Sequence, residues 1–398
     1  MSNINFDPIS FGGEINVEIH TLQTTPTNVY YKNDLHNSIF SDTNYISLNQ
    51  SPSNILSSVR NSIKGVAQWI VLTDAPQYTS NYSTYELKSL DILTKISELP
   101  YRNVILQTTE YVGDILSNTK KYSSLIKGLS VPIYGICSMN SSNSINSLFN
   151  YVINIDTLKE NVAVLKKNNI ELFIETNSIC SYTKKISNTF GSELWLFDFL
   201  FQVSMGSVQN VIIQNEKNNS FPYHIFSLVT KNARIIDSTP TYSTAIHPNV
   251  NIYVTKSYTQ YFITVIHKDI TQTNVQVSVN IPFSVTIGQL YRFVSPLGLE
   301  GIGDLLFGGK GIEDFDSLVG AQVPQTKGTY TFLVGSMTAV VLSIPLVSSG
   351  GALYEDMNNS DEKNALITVM PTELFDPYDA VPTTMTVKNY KENYLPYV

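Results

Sequence analysis

Residues 171–202 read ELFIETNSICSYTKKISNTFGSELWLFDFLFQ. A short apolar run, Leu172 to Ile174, ends on the carboxylate of Glu175; a polar loop follows, and then a stretch from Phe190 that is aromatic or aliphatic at most positions. An apolar run without polar alternation suits a strand buried on both faces, as in a parallel sheet, and the stretch after it suits a helix buried all round. Together they make one strand-loop-helix unit of an α/β fold. The C-terminal ends of parallel strands line the face on which active sites are built, so Glu175 stands where a catalytic group would.

Along the rest of the first 230 residues, short β-branched runs alternate with longer stretches able to form helices. Strands are expected at 12–19, 44–49, 68–74, 103–110, 131–138, 150–155, 171–176 and 210–215. Helices are expected around 52–64, 84–98, 114–128, 157–168 and 188–205, the last closed by Gly206 as a left-handed cap. Eight such units within 12–229 predict an α/β fold, a compact (β/α)8 TIM-type barrel.

After residue 230 the texture changes. In NIYVTKSYTQYFITVIHKDITQTNVQVSVNIPFSV, residues 251–285, apolar and polar residues alternate with no helical period, and similar strands recur to 346. This predicts an antiparallel C-terminal β-sandwich over 230–346, with residues 1–11 as an N-terminal strand joining it. Residues 347–398 are polar and acidic with scattered Pro and Tyr, and are expected to form an extension that lies on a surface or grips a neighbouring copy.

Glu110, in VILQTTEYVGD, ends the third expected strand run before that of Glu175, which makes the two the fourth and seventh barrel strands. Two carboxylates facing each other across a barrel mouth at roughly 5 to 5.5 Å suit retaining glycoside hydrolysis, one as acid/base and one as nucleophile.

Composition excludes several other classes. With 25 Lys and Arg against 33 Asp and Glu, the chain offers no basic surface for nucleic acid. The N-terminus MSNINFDPISFGGEI has neither the basic nor the apolar region of a signal peptide, and no apolar run is long enough to span a bilayer, so a cytoplasmic or intracellularly assembled protein is expected. Cys137 and Cys180 are too few for a disulfide framework. The histidines, His20, His36, His224, His247 and His267, show no metal-ligand spacing, and the glycines of GIGDLLFGGKG lack phosphate-loop spacing. No cofactor or metal is expected.

The stretch FIETNSICSYTKKISNTFGSELWLFDFLFQVSMGSVQNVIIQ, 173–214, resembles the nucleophile segment of glycoside hydrolase family 79, the β-glucuronidase and heparanase-like enzymes. The matching residues are Glu175, Thr176, Asn177 and Ser178, then Ser187, Asn188, Thr189 and Phe190, then Trp195, Asp198 and Gly206. The resemblance continues through YHIFSLVTKNARIID into the β-rich half and covers about 170–345 well; before that only VILQTTEYVGDIL lines up. It implies a barrel followed by a β-sandwich, Glu175 as nucleophile and Glu110 as acid/base, with Thr109, Tyr111 and Asn177 against the sugar.

The chain also departs from that pattern. Thr109, Glu110 and Tyr111 stand where the family has Asn-Glu-Pro, and a threonine cannot donate to the sugar 2-hydroxyl as the amide does. The Gly-Gly-Asn turn after strand 2 and the His-Tyr pair after strand 6 have no counterpart. Two functions follow: a glycosidase-fold protein that binds glycan or self-assembles, through 347–398, without turnover, which the departures favour, and an active retaining hydrolase of β-glucuronide-like glycans. The expected partner is accordingly carbohydrate or a second copy of the chain.

Overall fold

The computed structural model of the protein describes residues 11–24, 28–31, 43–47, 54, 57, 69–73, 103–108, 124–136, 148–149, 153–179, 189–213, 221–242, 250–268, 274–280, 287–301, 304–326 and 328–346. The chain divides into two units, Thr24–Tyr223 and a second made of Met1–Gln23 with His224–Val398. Strand β1, Phe11–Thr24, is taken up by the ten-stranded sheet of the second unit.

The unit Thr24–Tyr223 is built on a parallel sheet of β2 (Asn28–Tyr31), β3 (Thr43–Ser47), β4 (Trp69–Thr73), β5 (Asn103–Gln107), β6 (Ile126–Ile136), β7 (Glu171–Ile179) and β8 (Asn210–Ile213). Their order is β2-β8-β7-β6-β5-β4-β3, and every pairing is parallel. Val104, Ile105 and Leu106 in β5 and Leu172, Phe173 and Ile174 in β7 are all buried, so both faces of the sheet's centre are covered.

Two helices pack near β7. In α1, Ile155–Lys167, the Asn154 side chain caps the amide of Thr157, Asp156 sits in the first turn, and Lys166 and Lys167 sit in the last. Each charge opposes the end of the helix dipole near it. Leu158, Val162 and Leu165 recur at spacings of four and three and form the buried stripe. In α2, Phe190–Met205, Thr189 caps the amide of Ser192 and nearly every residue is buried, among them Trp195 against Phe199 and Phe197 against Phe201.

Several expectations are corrected here. Residues 12–19 are a strand, but one that pairs in parallel with 274–279 in the other unit's sheet, Val17 opposite Val279. The place of a strand beside β8 is taken by Asn28–Tyr31, four residues too few to show a period. The expected strand 150–155 is absent among the described residues: Ile153 and Asn154 are irregular and α1 starts at Ile155, because the Asn154 cap favours a helix there. The expected helix 114–128 cannot run to its end, since β6 begins at Ile126. Glu175 thus lies on the sixth strand of seven, adjacent to β6, and the seven described strands show neither an eighth member nor a pairing of β2 with β3 that would close the sheet.

Gly206 is not the left-handed cap. Its φ is −71°, and the positive φ of 60° falls on Ser207. The glycine is required by proximity instead, for a Cβ there would sit 2.9 Å from the Leu158 Cβ of α1.

The second unit contains α3 (Phe221–Thr230), most of which belongs to it, and then β9 (Ala233–Tyr242), β10 (Val250–Ser257), β11 (Gln260–His267), β12 (Asn274–Asn280), β13 (Ile287–Val294), β14 (Leu306–Phe307), β15 (Ala321–Thr326), β16 (Thr329–Val334) and β17 (Thr338–Pro345). With β1 they form one sheet in the order β14-β13-β15-β16-β12-β1-β9-β10-β11-β17, and β13 also pairs with β17. Hydrogen bonding therefore runs around a closed ring, with β14 attached outside it, and not through the two separate sheets expected of a sandwich. Closure leaves the ring strands no free edge, and the inserted β1 completes it. Its interior is apolar, with Val254, Ile263, Val277, Phe332, Val340 and Leu342 among the buried residues. The segment 347–398 lies outside the described residues, as do the expected helices 84–98 and nearly all of 52–64.

Candidate active site

Three adjacent strands bring Glu175 its neighbours. Gln107 of β5 lies opposite Ser130 of β6, and Ser130 opposite Phe173 of β7. Because side chains alternate along a strand, Ile105 and Gln107, Gly128 and Ser130, and Phe173 and Glu175 share one face. The first layer of this face is apolar and tight: a Cβ on Gly128 would lie 2.6 Å from the Phe173 ring and 3.3 Å from Ile105 Cγ1. One step toward the C-terminal ends, the layer becomes polar. The Gln107 side-chain amide donates to Glu175 Oε2 at 2.9 Å, and the Ser130 hydroxyl donates to Oε1.

This carboxylate is 2% exposed, and Gln107 and Ser130 are buried with it. Removing an ionised carboxylate from water costs several kcal/mol, and charge-assisted hydrogen bonds offset only part of that. What the two donors supply in addition is orientation, since each oxygen is held from a different strand. Thr108 continues the sheet, its amide donating to the Ser130 carbonyl at 2.7 Å. Thr176, on the opposite face by alternation, has a buried hydroxyl with no partner among the described residues.

Of the residues expected at the site, Glu175 is central. Thr109, Glu110 and Tyr111 lie outside the described residues, directly after Thr108. Asn177 is within β7, its backbone opposite Tyr134, and its side chain is outside them too. Farther along the resemblance, Thr189 serves as the α2 cap, and Asp198 is buried and accepts from the Gln202 amide at 2.6 Å. Gln107 and Ser130 are absent from the sequence expectations. Their only signal is a polar residue within each of the runs NVILQ and GLSVPI. Among the described residues no three His, Cys, Asp or Glu gather as a metal site, and no helix is long and apolar enough to cross a membrane.

No family model and no curated sequence matches this chain. Likeness lies in structure: a 4-O-α-L-rhamnosyl-β-D-glucuronidase from Fusarium oxysporum 12S, solved as a Rha-GlcA complex, superposes with a TM-score of 0.57 at 10% identity, covering 83% of this chain and 100% of that one. A family 44 xyloglucanase from Paenibacillus polymyxa gives a TM-score of 0.49 at 11% identity over 76% of this chain and 74% of its own. A family 51 arabinofuranosidase from Xanthomonas axonopodis pv. citri gives 0.48 at 12% identity over 74% and 70%. This chain has a glycoside hydrolase-like α/β fold.

Proposed function

We propose that the chain is a retaining glycoside hydrolase whose sugar site lies at the C-terminal ends of the parallel strands, with Glu175 as nucleophile and Glu110 as acid/base. The observation that carries this is the buried Glu175 carboxylate, held on both oxygens by side chains of the two preceding strands. Stability alone gives no reason to keep a charge there, and carboxylates held at such cost are a mark of working sites. The strand order supports the reading as well. β2 borders β8, as the first strand of a closed barrel borders its last, and we take the sheet for a TIM-type barrel. Glu110 follows by three residues the Gln107 that already touches Glu175.

In the first step a Glu175 oxygen bonds to the anomeric carbon, the glycosidic C–O bond breaks, and Glu110 gives its proton to the leaving oxygen. In the second, Glu110 takes a proton from water, whose oxygen attacks the same carbon and frees the Glu175 carboxylate. A β-glucuronide is the substrate class to try first, from the family 79 resemblance and from the activity of the Fusarium protein.

A second reading, glycan binding or self-assembly without turnover, is favoured by two features. A carboxylate that is 2% exposed is closed to a sugar carbon unless its cover moves, and Thr109-Glu110-Tyr111 departs from Asn-Glu-Pro. Hydrolysis of aryl β-glycosides, the glucuronide included, separates the two. The first expects turnover that drops by at least about 10³-fold in Glu175→Gln. A folded wild type no faster than Glu175→Gln on every glycoside would instead leave the non-catalytic reading. Glycan titration, and sedimentation of a chain lacking 347–398, would then test binding and assembly.

A further inference from the structure

The two donors on Glu175 act on the two half-reactions in opposite directions. As the nucleophile attacks, the carboxylate loses negative charge, so a hydrogen bond to it stabilises the starting state more than the transition state. As the glycosyl ester is hydrolysed, that charge returns to the departing carboxylate, and the same hydrogen bond stabilises the transition state. Since Gln107 holds Oε2 and Ser130 holds Oε1, the effect is the same whichever oxygen bonds to the sugar. One donor meets the oxygen that leaves, and the other meets its partner, over which the charge spreads.

We propose that Gln107 and Ser130 are positioning residues that speed release of the sugar from Glu175 at the expense of its attachment. This rests on the retaining reading above. Both side chains are suited to the task, because they are buried on paired strands and lie beside the Phe173 and Gly128 layer, which fills the space next to them. Donors that merely satisfied a buried carboxylate would raise stability without favouring one half-reaction over the other.

The test uses the full chain, 2,4-dinitrophenyl β-glucuronide and rapid-mixing kinetics on Ser130→Ala and Gln107→Met, with Ser130→Thr as the variant that keeps a hydroxyl. Each single variant is read by itself, so a folding failure in one leaves the other informative. The expected result is a kcat lowered roughly ten- to a hundredfold, the range for one hydrogen bond to a charged group. KM should fall further than kcat, so that kcat/KM, which reports attachment, rises, with a burst of about one equivalent of dinitrophenolate and a glycosyl adduct in the intact mass. Ser130→Thr should show neither burst nor adduct.

A parallel loss of kcat and kcat/KM without burst or adduct would overturn the assignment while the hydrolase reading stood. A wild type that neither turns over nor forms an adduct with a 2-fluoroglucuronosyl fluoride would overturn the hydrolase reading and the assignment together.

Discussion

In the parallel sheet of Thr24–Tyr223 the strands β5, β6 and β7 bring polar groups together in one buried layer: Gln107 at the end of β5, and Ser130 and Glu175 within β6 and β7. In the ring of the other unit the interior cluster is aliphatic or aromatic, Val277, Ile263 and Phe332 among it, and the polar side chains buried on the same strands, such as Thr264, His267 and Ser343, include no carboxylate among the described residues. One core is arranged for cohesion, and the other gives up cohesion at one layer for a charged group. A side chain removed from the ring should be felt in stability, and one removed from the polar layer should be felt in chemistry.

The largest stability effect should follow Phe332→Ala. This ring side chain is buried on β16 beside Tyr330 and Val334, and its truncation leaves a cavity in a closed sheet that can relax little. Such truncations cost about 3 to 5 kcal/mol, which urea unfolding of the full chain would register. Glu175→Gln, which abolishes turnover on the proposed reading, should change the unfolding midpoint far less. If the two variants were equally destabilised, the contrast between the two cores would be lost.

The same contrast explains what could be read from the sequence. β5 and β7 are legible because three apolar residues in a row stand between polar ends, and Glu175 is legible because it comes where such a run stops. Gln107 and Ser130 are not, since a single polar residue in an apolar run is unremarkable until the pairing Gln107 opposite Ser130 puts both beside Glu175. β1 shows the same limit: its alternation announces an extended strand, but nothing local says that its partner is 274–279. Gly206 is legible as a helix end, and the reason for it is tertiary, the closeness of Leu158.

A smaller effect is expected from Gly128→Ala, which tests whether the apolar layer adjoining Glu175 is as tight as the ring. The new methyl would meet the Phe173 ring at 2.6 Å, too close for contact, so Phe173 or β6 must shift. Overpacking of this kind costs about 1 to 3 kcal/mol. Because Phe173 and Glu175 share a face two residues apart, a shift of β7 should also lower turnover on the proposed reading. An unchanged unfolding midpoint would mean that the layer yields easily and cannot hold the carboxylate above it in place.

The smallest effect should come from Tyr330→Phe, and its sign is informative. Tyr330 is buried in the ring, with Gly288 leaving room beside its Cε1, and its hydroxyl has no hydrogen-bond partner among the described residues. Burial disfavours the phenolate and pushes the tyrosine from its ordinary value of 10.0 up to about 12. The folded state therefore binds the phenolic proton more tightly than the unfolded state does. Its contribution is whole below pH 10 and is lost as pH rises from there through 12. Phenylalanine has no such proton, and it removes a hydroxyl buried without a partner, so at pH 7 the variant should be equal to wild type or more stable by up to about 1 kcal/mol. Above pH 10 the margin should widen, because only the wild type loses the contribution of this group. Urea unfolding at pH 7 and pH 10.5 reads both numbers. A variant clearly weaker than wild type at pH 7 would mean that the hydroxyl makes a hydrogen bond inside the ring, and that even the more cohesive of the two cores is organised around a polar contact.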